Sequence, residues 1–444
     1  MSIWDRLFGN TPPPAAADQP TYRFGRYSDA YKDKSAYTHW DQSLNALEEG
    51  DFRRSFTSFL KYLRDPEEDN VKWQEEEDST YFEFYQGSKR ITGKANQEGL
   101  RAEAQIARLG AGSAELLQRL TALNYELKYS RYGLNDSRCL CIIFDSKADD
   151  ASPHKLYYAF KEMALQADKQ DDLLIDEFKQ LVQVEHQHLQ QISLEARRTK
   201  EAFLRRSIQE LSDYLAAGKL NPEEHPGALA YLLLDKVCKL DYLLLPEGTT
   251  MEALERMQRL YFASESGQPI THRNLRLIAE LQELSQQAPD QFGKELYVGK
   301  YTFGITTPAN HDRLRTLIDG ELGNMDWYQE NGYSEVALAV PGYIVGYSLF
   351  NFALPLPLRD FLHLYYRVRE DAYFRRLGYP QEFLDSNERP VRRAIRAAIS
   401  ELEARHREAF PRLRPVSSML EYDNLTDFSR SYLRMLYELD LGRR

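Results

Sequence analysis

The sequence predicts an α+β protein of two related halves, each a small antiparallel sheet packed by helices, with added helical hairpins and a long connecting helix. The first observation is a repeat: residues 156–164 read LYYAFKEMA, and residues 364–372, 208 positions later, read LYYRVREDA, with five of nine residues identical. The second observation is the order of the predicted elements, which in each half is a helical hairpin, strands, a helix, strands and a long helix. Both indicate a duplication, although two unrelated amphipathic helices would also share Leu, Tyr, Glu and Ala.

Length and composition restrict the class of protein. A chain of 444 residues suggests two or three domains. Its 42% apolar and 28% charged residues are typical of a globular protein, and its net charge of −11 argues against a nucleic-acid partner. Three cysteines exclude a disulfide framework and predict reduced core thiols. We therefore expect a protein of a reducing, cytoplasmic compartment.

The N-terminal stretch, residues 1–20, is predicted to be a separate segment. MSIWDRLFGN lacks a signal-peptide pattern and predicts a short amphipathic helix that presents Trp4 and Phe8. Residues 10–20, NTPPPAAADQP, are typical of a proline-rich linker. The helix would act either as a docking peptide for a partner or as a strap on the chain's own domain, and both interpretations stay open.

The first half, residues 21–217, is predicted to combine a helical hairpin, a sheet and a long helix. The helical hairpin turns at Gly50 and Asp51. The other predicted elements are a β-hairpin at 81–93, helices at 97–109 and 113–123, and strands at 125–132 and 138–145. The long helix contains neither Gly nor Pro from His154 to Ala217, and we expect a break near Asp171 and Asp172.

The second half, residues 218–444, is predicted to repeat this plan. The predicted helices cover 227–245, 250–262, 270–287, 309–320, 357–377 and 388–408, with a strand or hairpin at 297–307. Residues 336–358 carry no charge and are long enough to cross a bilayer, but prolines and glycines interrupt them. We predict two buried strands with a turn near Pro341 and Gly342, and no transmembrane segment.

The sequence offers no motif for catalysis, a cofactor or a metal. GSKRITGK, residues 87–94, has the wrong glycine spacing for a phosphate loop and predicts a hairpin turn. The two histidines of HQH, residues 186–188, would point to opposite sides of a helix and cannot share one ion. No serine-nucleophile motif is present. We expect a protein that is not an enzyme, although unpaired carboxylates leave acid–base chemistry open.

Three aspartates form one face of the long helix. Asp168, Asp172 and Asp176 recur at every fourth position, and like charges at this spacing weaken a helix unless a cation lies opposite. This face predicts either salt bridges to Arg and Lys elsewhere in the chain or a contact with a basic partner surface.

Residues 81–178 resemble the type III secretion chaperone-like fold, as in the CesT and YbjN families. The resemblance rests on ELLQRLTALNYELKYSRY, on the strand RCLCIIFD, and on SPHKLYYAFKEMALQADKQDDLL with its Ala167–Asp168 step. Residues 297–377 resemble it more faintly. The resemblance implies a non-enzymatic module that holds a partner protein along sheet and helix faces. Unlike those small homodimers, this chain would carry two copies, and the helix after the first copy is much longer.

We therefore expect a protein-binding chaperone or adaptor, either a monomeric pseudo-dimer or a homo-oligomer. The alternatives are a structural subunit of a secretion or contractile-injection assembly, and a small-ligand sensor or enzyme with a cleft between the halves. The last would show convergent polar groups and perturbed carboxylates. The candidate partner-binding residues are Trp4, Phe8, Tyr157, Tyr158, Asp168, Asp172, Asp176, Tyr365 and Tyr366.

Overall fold

The computed structural model describes residues 20, 22–110, 112–184, 188–262 and 267–442. It confirms the α+β class, with one antiparallel sheet and many helices. The predicted N-terminal helix with Trp4 and Phe8 lies outside the described residues. Cys139, Cys141 and Cys238 are buried and free, as predicted.

The first unit contains the sheet. Its helices are α1 (Lys34–Glu48), α2 (Phe52–Leu63), α3 (Ala114–Glu126) and α4 (Pro153–Glu177). Its strands are β1 (Val71–Glu75), β2 (Thr80–Gln86), β3 (Lys89–Ala95), β4 (Gly99–Leu109), β5 (Arg131–Leu134), β6 (Cys139–Lys147) and β7 (Leu181–Gln183). The strand order is β1-β2-β3-β4-β6-β5, all antiparallel, and β7 pairs with the end of β4.

Helices α2 and α4 cover one face of this sheet. Phe56 and Phe59 of α2 pack around Phe160 of α4, which stacks on Phe82 and Phe84 of β2. All five rings are buried, so the aromatic side chains of both helices and the sheet form one core. The predicted helical hairpin is confirmed as α1 and α2.

Residues 97–109, predicted as a helix, form strand β4. Leu100, Ala102, Ala104 and Ile106 alternate with exposed or half-buried residues, which is the two-residue period of a strand with one covered face. The alanines suggested a helix, but here their small side chains face α4. The strand predicted at 125–132 is also shorter, because α3 continues to Glu126 and β5 starts at Arg131.

The long helix predicted over 154–217 is two helices. Helix α4 continues past Asp171 and Asp172 and ends at Glu177, and α5 (Leu194–Ala216) starts after Ser193, whose side chain accepts from Ala196 N. The break therefore lies after the aspartates, because Asp171 is buried within the helix and pairs with Lys89.

The second unit is helical. Its further helices are α6 (Pro226–Leu244), α7 (Gly248–Phe262), α8 (Ile270–Ser285), α9 (Pro289–Lys294), α10 (His311–Glu321), α11 (Asn324–Glu330), α12 (Ser334–Asn351), α13 (Leu356–Arg369), α14 (Asp371–Arg376), α15 (Arg392–His406) and α16 (Leu425–Tyr437). The strands β8 (Gln190–Gln191) with β9 (Tyr297–Val298), and β10 (Thr307–Pro308) with β11 (Phe352–Ala353), form two-residue pairs.

The uncharged segment 336–358 is not a pair of strands, and most of it forms the buried helix α12. Pro341 lies inside this helix. A Cβ on Gly342 would lie 2.2 Å from Asp235 Oδ1, and one on Gly346 would lie 2.8 Å from Cys238 Cβ, so the glycines let α6 approach closely. None of the helices in the described ranges is both long and apolar enough to cross a membrane.

The repeat therefore does not mark two equivalent sheets. Both LYY sequences lie in helices, α4 and α13, but the described residues of the second unit contain only the two-residue strands. One hydrophobic core runs from Phe52 to Leu181 with Phe303 added, and the other from Ala196 to Leu439. The cores thus divide near residue 190, and α5 belongs with the helical unit although we placed it in the first half.

Candidate functional site

The segment 22–33, called the strap below, links the two units. Gly25 N donates to Tyr242 O of α6 (2.9 Å), while Tyr157 of α4 donates to Asp29 (2.7 Å). Arg26 forms an ion pair with Asp241 of α6 and donates to Glu255 of α7 (2.9 Å). These contacts bring the strap across the boundary between the sheet unit and the helical unit.

The turn between β2 and β3 contacts the aspartates of α4 beneath the strap. Ser88 N donates to Asp168 Oδ1 and Ser88 Oγ donates to Asp171 Oδ2, both at 2.8 Å. Gly87 has a φ of +52°, and a Cβ at this position would lie 2.1 Å from Asp168 Oδ1. Only glycine therefore lets the turn approach the carboxylate of Asp168. The hairpin turn predicted for this segment is confirmed.

The helical unit places two more carboxylates at this boundary. Glu247 precedes α7 and accepts a hydrogen bond from Tyr301. Glu295 caps the start of α7 by accepting from Thr249 N (3.1 Å) and Thr250 N (3.0 Å). Together with the aspartates of α4, these residues form the junction cluster: Asp168, Asp171, Asp172, Glu247 and Glu295.

The junction cluster has more carboxylates than cations. Lys89 pairs with Asp171 at 2.5 Å, but within the described ranges no Lys or Arg forms an ion pair with Asp168, Asp172, Glu247 or Glu295. Burial and the neighbouring carboxylate of Asp171 raise the pKa of Asp172 to about 8. Burial also raises the pKa of Glu247 to about 7, although its hydrogen bond from Tyr301 and the charge of Arg26 lower it.

The pKa of Asp168 is raised for the same reasons. Burial, followed by the charges of Glu247 and Asp171, raises its pKa well above the ordinary aspartate value, and the hydrogen bond from Ser88 N offsets this only in part. The described residues contain no group of three or more His, Cys, Asp or Glu side chains arranged to hold a metal ion. Because burial raises the pKa of Asp172 to about 8 and that of Glu247 to about 7, the cluster can exchange protons near neutral pH, and its excess of carboxylates suits a cation.

A second feature lies on the sheet unit, where apolar side chains are exposed. Glu162 of α4 accepts backbone hydrogen bonds from Lys128 (2.8 Å), Tyr129 and Ser130 (both 3.0 Å). Tyr158 lies one turn before Glu162, and Tyr125 lies in the last turn of α3. We call Leu117, Tyr125, Tyr129 and Tyr158 the tyrosine patch, and their exposed fractions are 60%, 92%, 39% and 58%.

Glu162 holds this region in place. Burial raises its pKa, but the three backbone hydrogen bonds and the one from Ser130 Oγ outweigh that effect, and the net pKa is lowered. The carboxylate is therefore ionised at neutral pH and fixes the connection between α3 and β5 against α4. The exposed tyrosines are thus presented from an ordered frame.

The outer face of the sheet, which is turned away from α2 and α4, carries exposed charged side chains on β3 and β4. Lys94 of β3 lies directly opposite Arg101 of β4, and both are exposed. The carboxylate nearest in register, Asp145 of β6, pairs with Arg131 at 2.5 Å. Like charges opposite each other on neighbouring strands destabilise a sheet, so this pair favours an anionic partner group.

The predicted site residues divide between these features. Tyr158 lies in the tyrosine patch, while Tyr157 is half-buried under the strap. Asp168 and Asp172 lie in the junction cluster, so their predicted salt-bridged or partner-facing role is replaced by contacts inside the chain, and Asp176 is exposed and pairs with Lys179 at 2.9 Å. Tyr365 and Tyr366 are fully buried in the helical core, which contradicts their predicted contact with a partner.

Sequence reasoning missed several residues of both features. Tyr125 and Tyr129 were assigned to a strand, and Glu247 and Glu295 stood in no motif. Leu117 and Tyr125 are eight residues apart in α3, a spacing that places two side chains on the same side of a helix, and this was the available signal, whereas Tyr129 lies after the helix ends. The buried carboxylates come from distant parts of the chain, so no local pattern indicates them.

We find no family model, curated protein or solved structure that matches this chain.

Proposed function

We propose that the protein binds another protein on the tyrosine patch and the adjoining outer face of the sheet, as a non-enzymatic chaperone or adaptor. The observation that carries this proposal is the exposure of Leu117, Tyr125, Tyr129 and Tyr158 on an ordered frame. Tyrosine suits such a surface because its ring buries apolar area while its hydroxyl keeps a polar contact.

The charges of the outer sheet face indicate the chemistry of the partner. Arg101 and Arg108 form no ion pair among the described residues, and Lys94 lies over the ring of Tyr81 at 5.3 Å. Glu103 is engaged by Asn135 at 2.7 Å. The partner segment should therefore carry apolar side chains for the tyrosines and carboxylates for these cations.

The resemblance to the type III secretion chaperone-like fold supports the same surface. Those proteins hold partners along sheet and helix faces, and here the tyrosine patch lies on α3, on α4 and on the connection from α3 to β5, all within the resembling segment. The one-sided sheet leaves its outer face available for an added chain.

The test compares co-purified proteins from the native host by quantitative mass spectrometry. The variant Tyr125→Ser/Tyr158→Ser should lose the specific partner by about tenfold or more, because truncating a central interface aromatic costs about 2 kcal/mol. The matched control is Tyr37→Ser/Leu275→Ser, which removes two apolar side chains exposed elsewhere. Equal recovery of every protein by the patch variant and the control would contradict the proposal.

A further inference from the structure

A cavity of about 140 Å³ lies between the two units, next to the junction cluster. The strap contributes Arg23, Arg26 and Tyr27 to its wall, the sheet unit contributes Asp168, and the helical unit contributes Glu247. A space of this size is comparable to engineered cavities of about 150 Å³ that hold a six-carbon ring. The cavity therefore has room for a ligand of roughly six non-hydrogen atoms.

Both junction carboxylates in the cavity wall have one oxygen that is not used. Glu247 is buried and accepts a single hydrogen bond, from Tyr301, on Oε1. Asp168 accepts a single hydrogen bond, from Ser88 N, on Oδ1. Among the described residues, no donor reaches Glu247 Oε2 or Asp168 Oδ2, so two acceptors remain at one end of the cavity.

Each cation in the wall already has an ion-pair partner, although the Nη1 of Arg23 forms no hydrogen bond among the described residues. Arg26 is held by Asp241 and Glu255, Arg23 by Glu68, and Lys169 by Glu252 at 2.7 Å. The charges around the cavity that lack an ion-pair partner are therefore the negative charges of Asp168 and Glu247. The wall also contains Gln86 and Tyr301, and its apolar part consists of Leu165, Leu245, Pro246, Met251, Phe303 and Ile305.

We infer that this cavity binds a small aliphatic amine, with its ammonium group between Asp168 and Glu247 and its carbon chain against the apolar wall. An ammonium group supplies three donors to oxygens that lack them and offsets the excess negative charge. A metal ion does not fit, since the described residues provide no suitable group of ligands. The inference goes beyond the proposed protein binding and does not depend on it.

Binding should depend on pH, because the empty site is partly protonated. Glu247 has a raised pKa of about 7, and Asp168 shifts in the same direction. The charged groups that act on the two carboxylates are Asp171 and Asp172 of α4, Asp241 of α6 and Arg26 of the strap. The phenols of Tyr297 and Tyr301 are the neighbouring titratable hydroxyls, and Lys89 and Glu295 act on Asp172. An ammonium ion favours the ionised carboxylates, so affinity should rise from pH 6 to pH 8 and binding should release protons.

The experiment is isothermal titration calorimetry of the full chain with three matched probes: butylamine, 1-butanol and butyrate. Butylamine should bind at least about tenfold more tightly than 1-butanol, which fills the same space without charge, and butyrate should not bind. Repeating the butylamine titration in buffers of different ionisation enthalpy measures the released protons.

Two variants locate the site. Asp168→Asn and Glu247→Gln should each weaken butylamine about tenfold, whereas Asp176→Asn should leave it unchanged, since it removes a carboxylate two turns along the same helix and outside the cavity. Asn and Gln do not strand a buried charge, so these variants should fold. Equal binding of butylamine and 1-butanol, binding that survives both substitutions, or no binding of butylamine would each overturn the inference.

Discussion

At the scale of single residues, Asp172 shows how burial changes the chemistry of an ordinary side chain. It lies about one and a half turns before the end of α4, beside Asp171 and opposite Glu247 and Glu295. The sequence predicted that Asp168 and Asp172 lie on one face of a helix, but it did not predict which groups lie opposite them. Helical spacing fixes which side chains lie together, whereas the groups opposite come from residues 87–89, 247 and 295, which only tertiary packing brings near.

Asp172 should make stability fall as pH rises. Its pKa is about 8 in the folded protein, against about 3.9 in an unfolded chain. Between these values the folded state holds a proton that the unfolded state has lost, so each pH unit costs about 1 kcal/mol until the folded-state pKa is passed.

Asp172→Asn removes the part of this dependence that Asp172 contributes, while Asp168 and Glu247, whose pKa values are also raised, keep theirs. Urea unfolding at pH 5, 6, 7 and 8 should show a flatter profile for the variant and a stability gain that is largest at pH 8. Asp176→Asn, an exposed position on the same helix, should keep the wild-type slope. An unchanged slope in Asp172→Asn would show that the carboxyl titrates normally.

At the scale of elements, the sequence predicted amphipathic helices well but failed for strand β4, whose alanines suggested a helix, and for helix α12, which is buried on all sides. The hairpin of α1 and α2 and the β2–β3 turn were predicted because Gly50, Asp51 and Gly87 punctuate amphipathic patterns. Helix α12 was not predicted, because a fully buried helix has no polar face. In the sequence, its Pro341 and Gly342 are typical of a turn. The position of α12 is set by the packing of α6 against the glycines of α12.

Gly342 therefore should not tolerate alanine, although alanine normally stabilises a helix. A Cβ at this position would lie 1.8 Å from Arg369 Nη1, which donates to Asp235 Oδ1 at 3.0 Å. Gly342→Ala should destabilise the protein by roughly 3 kcal/mol, since it separates a buried ion pair.

Gly320→Ala is the matched control in α10, where no atom lies within 4 Å of the added Cβ. It should stabilise the protein by about 0.5–1 kcal/mol. Denaturant unfolding measures both effects, and a neutral or stabilising Gly342→Ala would mean that α12 does not pack on the Asp235–Arg369 pair.

At the scale of the whole molecule, a one-sided sheet unit and a helical unit meet over the junction cluster, with the strap across both. The repeated LYY sequence correctly marked two helices, but Tyr158 is exposed while Tyr365 and Tyr366 are core residues. A nine-residue match identifies two amphipathic helices but not what each helix packs against, so it did not reveal that the described residues of the second unit form no comparable sheet. The surfaces of the two units consequently differ, and we propose that the sheet unit is the one that binds the partner.

Site-specific photocrosslinking in the native host tests that assignment most directly. Benzoylphenylalanine in place of Tyr158 should give one discrete protein adduct, and adding Tyr125→Ser should suppress it. The same probe in place of Trp327, an exposed aromatic residue on α11 of the helical unit, should not give this adduct. An adduct of the same protein from position 327, or none from position 158, would contradict the account.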